Sequence, residues 1–209
     1  MKPKLICILG ETCSGKDSIV TGAMKKLSDY KLRTICSYAD RPIRDGETEG
    51  VEHYFISTKE FNKLKAERES DLLAYTHIKK PNDPNAKGYQ YMALIDEVEK
   101  AQLYVIDYDG LKNLKERWGD TIDIVTVYIQ APFKERMARA EATRNDFQTE
   151  FKKRVEAEEI QFKLLRDSKY YDYKINNANG KLENSINRLC VIIEYELIKN
   201  GYLPKKTNS

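Results

Sequence analysis

Gly10-Glu11-Thr12-Cys13-Ser14-Gly15-Lys16 sets two glycines and a lysine at the spacing G-x-x-x-x-G-K. A loop of this kind can turn several backbone N–H groups toward one phosphate chain, and the positive end of a following helix adds to the attraction. Lys16 brings a mobile ammonium to the outer phosphates. The bland alternative is an ordinary glycine-bearing turn between a strand and a helix. Where the pattern usually continues with a Ser or Thr hydroxyl for Mg2+, this chain has Asp17, with Ser18 next. Asp17 meeting the metal directly or through water, and Ser18 supplying the hydroxyl, are both open.

A second constellation follows in Ser37-Tyr38-Ala39-Asp40-Arg41-Pro42-Ile43-Arg44-Asp45-Gly46-Glu47. Two arginines three apart around a proline, leading into an Asp-Gly turn, suit a doubly charged monophosphate, because each guanidinium fork can make bidentate contacts. Arginines at this spacing are also common on solvated surfaces. Their place downstream of a phosphate loop is what gives the pair weight.

The elements that would hold these groups alternate. Leu5 to Leu9 reads as a buried strand, followed by the glycine loop and a helix with apolar Ile19, Ala23 and Leu27. Further strands are expected at Arg33 to Tyr38, Leu103 to Asp107, Ile124 to Gln130 and Tyr173 to Asn176, and Lys181 to Ile198 reads as an amphipathic helix. Strands alternating with helices predict an α/β protein whose central parallel sheet is flanked by helices. Two stretches interrupt the rhythm. Turn signals and short aromatic runs from about 40 to 93, among them Val51 to Ile56, predict a small, mainly antiparallel insertion. Lys134 to Arg166 is highly charged and helical, with Phe151, Val155, Phe162 and Leu165 on one face.

With 209 residues, 41% of them hydrophobic, the chain can bury a sizeable core as one domain. Thirty-six Lys and Arg against 33 Asp and Glu leave a charge of +3, too small to argue for nucleic acid or a membrane surface. Apolar runs such as Ile122 to Ile129 fall far short of the ~20 residues that span a bilayer. The start MKPKLICILG lacks a small-residue cleavage site, so a cytoplasmic protein is expected. The four cysteines have no CxxC spacing, and with only His53 and His77 available, reduced thiols are a better reading than a zinc site.

Ser37 to Phe55 resembles the pattern S-x-x-x-R-P-x-R-x-G-E and aromatic strand of the guanylate kinase family. The likeness extends to Val105-Ile106-Asp107-Tyr108-Asp109-Gly110, similar to the family's acidic strand motif, and to Tyr171 to Asn177, similar to its late strand. It covers most of residues 4 to 198. The resemblance implies a P-loop kinase with a core at about 1–36, 94–130 and 167–200, a nucleotide-binding insertion at about 37–93 and a helical lid at about 131–166. It implies ATP and Mg2+, transfer of a phosphoryl group to a nucleoside monophosphate, GMP or dGMP first, and a monomer or homodimer acting on small nucleotides.

Residue by residue, the resemblance implies that Gly10, Glu11, Thr12, Cys13, Ser14, Gly15, Lys16, Asp17 and Ser18, with Asn177, hold ATP. Arg41 and Arg44 would grip the acceptor phosphate, Glu47 brace their loop, and Tyr91 join as a phenol donor. Ser37 and Asp109 would face the base, and His53 aligns with a family tyrosine. Asp107 would orient Mg2+ or its waters, and a plain strand-end cap is its alternative role. Arg139, Arg144 and Arg154 fall where the family's lid arginines clamp the transferring group. Two departures touch base recognition: Ala74 stands at the family's guanine-reading glutamate and Ala93 at a hydroxyl residue, with an insertion, Lys79 to Lys87, between them. A site stripped of such readers discriminates less. Gly-Lys-Asp-Ser also resembles ribose 1,5-bisphosphate kinases, and a non-catalytic binding module of the same fold is a further alternative, one that the intact Gly10, Gly15 and Lys16 argue against.

Overall fold

The computed structural model describes residues 2–44, 46–78, 88–143 and 152–201. The first sheet is parallel throughout, in the order β6 (Leu103–Val105), β1 (Lys4–Leu9), β7 (Asp123–Gln130), β8 (Tyr173–Asn176). Every residue of β1 is buried: Leu5 to Leu9 as an apolar run covered on both faces, and Lys4 paired with Asp123 and Glu196. Its alternation divides the core. Ile6 and Ile8 pack with α1 (Lys16–Lys26) and α6 (Leu182–Lys199), through Ile19, Ala23, Leu189 and Ile193. Leu5, Cys7 and Leu9 pack on the other side, with Leu111 and Leu114 of α3 (Tyr108–Trp118) and Phe162 and Leu165 of α5 (Lys152–Ser168). The glycine loop therefore leaves the C-terminal end of a central strand, the usual position for ligands in open α/β sheets.

A second sheet has the order β3 (His53–Phe55), β2 (Ser37–Ala39), β5 (Tyr89–Leu94), β4 (Leu72–Ile78), parallel only between β2 and β3. Helix α2 (Thr58–Glu67) starts with Ser57 and Glu60 capping each other and lays Phe61 on Leu72, Met92 and Leu94. Thr76, Tyr91, Ala39 and Phe55 stand in register across the four strands. They mark the face opposite α2.

The strand expected over Arg33 to Tyr38 is two pieces in two sheets. Thr34 bridges Leu103 and Ile35 donates to the Leu103 carbonyl, while Ser37 onward pairs with β3 and β5. This run links the two sheets. The charged stretch expected as helical holds two helices, α4 (Phe133–Thr143) and α5. Among the described residues, no helix is long and apolar enough to cross a membrane.

Candidate functional site

The turn between β1 and α1 needs its glycines. Gly15 caps α1 at φ 88°, the left-handed region, and a Cβ there would lie 2.4 Å from Asn177 Nδ2. At Gly10 a Cβ would meet Ser14 Oγ at 2.5 Å and the Ile129 carbonyl oxygen at 2.6 Å. The loop is pinned by Ser14 N–H donating to the Glu11 carbonyl and by Asn177 Nδ2 donating to the Ser14 carbonyl. Ser14 Oγ and Asn177 Oδ1 are buried with no hydrogen-bond partner among the described residues. The first N–H groups of α1 have no partner within the helix, which suits them to an anion. Lys16 stands there with its ammonium 3.9 Å from the Asp17 carboxylate. Glycine loop, helix end and lysine together can bind a phosphate chain.

Two helices close against this loop. Arg136 on α4 is buried, stacks on Phe133 and donates to the Thr12 carbonyl at 3.2 Å. Arg139, one turn on, donates to the carbonyls of Cys13, Ser14 and Asn177 and to Asn179 Oδ1. It reaches the phosphate loop from the carbonyl side and braces it. From α5, Glu158 accepts from Thr12 N–H at 2.8 Å and from Thr12 Oγ1 at 2.5 Å, and Arg166 donates to buried Glu11 at 2.8 Å. Glu11 also receives the Tyr128 hydroxyl, and burial together with that carboxylate pushes the Tyr128 phenol up. Expected contributors Arg144 and the side chain of Arg154 lie outside the described residues, as do Lys79 to Lys87.

On the second sheet, Arg41 is buried and almost fully engaged. Its Nε donates to Tyr91 Oη, Nη1 to the Pro42 carbonyl and Glu47, and Nη2 to Glu47. One Nη2 hydrogen has no partner among the described residues. The Glu47 carboxylate, held by Arg41 against the opposing effect of burial and also accepting the Arg44 N–H, is pulled down to about 2. Arg44 is exposed. Beside them, Ser37 Oγ and His53 Nδ1 are 2.7 Å apart, and burial plus the Arg41 charge lower the His53 pKa, which favours the neutral ring. Arg41 is thus held in place by the loop's own groups, with Arg44 the exposed cation beside it.

Asp107 caps α3 by accepting the Gly110 N–H at 2.8 Å and accepts the Thr76 hydroxyl at 2.8 Å. Both expected roles remain compatible with this, since each carboxylate oxygen keeps a lone pair. Asp109 accepts from Gln161 Nε2 at 2.5 Å, and burial and the Asp107 charge push its carboxyl up. Ala74 and Ala93 are buried and paired across β4 and β5, packed into the core cluster below α3. They present only methyl groups. Among the described residues, no three His, Cys, Asp or Glu side chains cluster as a ready metal site. An Mg2+ ion held mainly by phosphates and water, with one or two protein oxygens from Asp17, Ser18 or Asp107, fits this donor set.

Sequence reasoning missed Arg136, Thr76, Glu158, Gln161 and Arg166. For Arg136 a signal existed, its spacing of three from Arg139 on one helix face. Glu158 and Arg166 sit among many charges on α5, where sequence gives no cue to which of them turns inward.

A sequence model of the family described as guanylate kinase matches residues 2–196. The chain is similar to the guanylate kinase of Symbiobacterium thermophilum, 29% identical over 208 residues, covering 96% of this chain and 91% of that protein. Similarity to the guanylate kinase of Bartonella henselae is 30% over 181 residues, covering 83% and 73%. The fold is similar to the crystal structure of guanylate kinase from Anaplasma phagocytophilum, with a TM-score of 0.64 at 21% identity, over 96% of this chain and 90% of that one.

Proposed function

The chain belongs to the guanylate kinase family, nucleoside monophosphate kinases, and on that premise we propose that it transfers the terminal phosphoryl group of ATP to GMP or dGMP in the cytoplasm. The observation that carries the reading is the meeting of two half-sites under one helix. Glu158 touches the phosphate loop and Gln161 touches Asp109, three residues apart on α5, an axial separation of roughly 4.5 Å. The phosphate loop and the acid expected at the base thus border the same helix.

The chain's own residues then act by position and charge. The loop N–H groups and Lys16 hold the donor phosphates, and Arg136 and Arg139 keep the loop from shifting by binding its carbonyls. Arg44, with the remaining N–H of Arg41, takes the acceptor phosphate, while Glu47 and Tyr91 fix the Arg41 fork. Ser37 and Asp109 face the base. A phosphate oxygen is already an adequate nucleophile, so no general base is required. Asp17, Ser18 and Asp107 are the groups that would hold Mg2+, which when bound neutralises developing phosphate charge.

A second reading, another nucleoside monophosphate or ribose 1,5-bisphosphate as acceptor, is favoured by the methyl groups of Ala74 and Ala93 where the family reads guanine. The test is ATP-dependent phosphorylation of all NMPs and dNMPs and of ribose 1,5-bisphosphate. Highest kcat/KM on GMP or dGMP is expected; turnover of the sugar phosphate alone would overturn the nucleotide reading.

A further inference from the structure

The contact between Glu158 and Thr12 sets an anion on the phosphate loop. Two carboxylate oxygens accept one backbone N–H and one hydroxyl from the same residue, at 2.8 and 2.5 Å. That is the chemistry a phosphate edge would use, and Thr12 lies inside the loop whose N–H groups are suited to phosphates. The carboxylate does not wander there by chance. Phe162 and Leu165 anchor α5 in the core, and Arg166, two turns past Glu158, pairs with Glu11 of the same loop. Thr12 itself is only 4% exposed.

We propose that Glu158 is the gate of the donor half-site, its carboxylate occupying the Thr12 donors that the terminal phosphate of ATP takes on binding. The proposal rests on the kinase reading. A carboxylate and a triphosphate cannot share those donors, because the donors are too few and the charges repel. ATP therefore binds at the cost of moving Glu158 away, and acceptor binding carries no such cost at this residue.

The experiment measures ATP, tripolyphosphate, adenosine and GMP binding by calorimetry to the wild-type chain, Glu158→Gln and Glu158→Ala, with circular dichroism confirming that each is folded. Glu158→Ala is expected to tighten ATP and tripolyphosphate by about fivefold or more, the equivalent of one ordinary hydrogen bond. Glu158→Gln, which keeps an acceptor oxygen but drops the charge, should fall between, and adenosine and GMP should change by less than about twofold on the same scale. Unchanged or weaker ATP binding in both variants, with the wild type still binding, overturns the gate and leaves the kinase reading standing. Failure of all three chains to bind ATP overturns both.

Discussion

Arg41 and Arg44 stand three residues apart, yet the loop uses them differently. Arg41 is buried between Glu47, Tyr91 and the Phe55 ring, so most of its donors hold protein. Arg44 is exposed. Arg44→Ala should therefore raise the acceptor KM by about 100-fold, two charge-assisted hydrogen bonds, without moving the thermal midpoint. Arg41→Ala should raise the KM as well and also lower the midpoint, because it strips the partners from Glu47 and Tyr91. Calorimetric melting beside steady-state kinetics separates the two; equal melting of both variants would contradict this division of labour. Lys16→Ala should leave the fold intact and cut kcat by at least about 100-fold, since it removes the main cation on the transferring phosphates. Near wild-type turnover in that variant would sink the proposed chemistry. Ala74→Glu would place a carboxylate where the cluster is packed, so it should lower the thermal midpoint, and GMP should restore more of it than AMP, CMP or UMP. Equal rescue by all four would show that the Ala74 position does not meet the base.

At the scale of elements, the loop from Arg41 to Glu47 makes a pH-dependent contribution to stability. The Glu47 pKa drops from an ordinary 4.5 to about 2 on folding, so the stabilisation is whole above about 4.5 and is lost as pH falls through about 2. Denaturant midpoints measured between pH 5 and pH 2 should fall less steeply in Glu47→Gln than in the wild type; parallel curves would mean that Glu47 does not titrate with folding. The phosphate loop was legible because strand, glycines and lysine are local and each has one physical reason to be there. The run Arg33 to Tyr38 was not. Its alternation and β-branched residues suit any sheet, and only the partners, Leu103 on one side and His53 on the other, decide that it crosses between two. Likewise α5 shows an apolar face through Phe162 and Leu165, but which of its charges meets Thr12 depends on how that face seats in the core.

Across the whole molecule, the acceptor sheet is held to the core through the two ends of α3. At the N-terminal end Asp107 accepts the Thr76 hydroxyl of β4; at the C-terminal end Trp118 Nε1 donates to the Leu72 carbonyl at 2.9 Å, at the start of the same strand. Between them Leu111 and Leu114 pack in one cluster with Leu73 and Ala74. An apolar seam flanked by two polar clasps should stay docked when either clasp is cut. Trp118→Phe leaves the buried Leu72 carbonyl without its donor and should cost about 1–3 kcal/mol of stability with the acceptor KM unchanged. Thr76→Val should cost a similar amount and also weaken the acceptor, because Asp107 lies beside the site. The clasps are an 11-residue helix apart, about 16 Å at 1.5 Å per residue, so their stability losses should add within about 0.5 kcal/mol in the double variant. Urea denaturation of the four proteins supplies the cycle. A double variant that loses less than the sum by more than about 1 kcal/mol would show instead that the first cut already undocks the acceptor sheet, making its seating on α3 an equilibrium of its own.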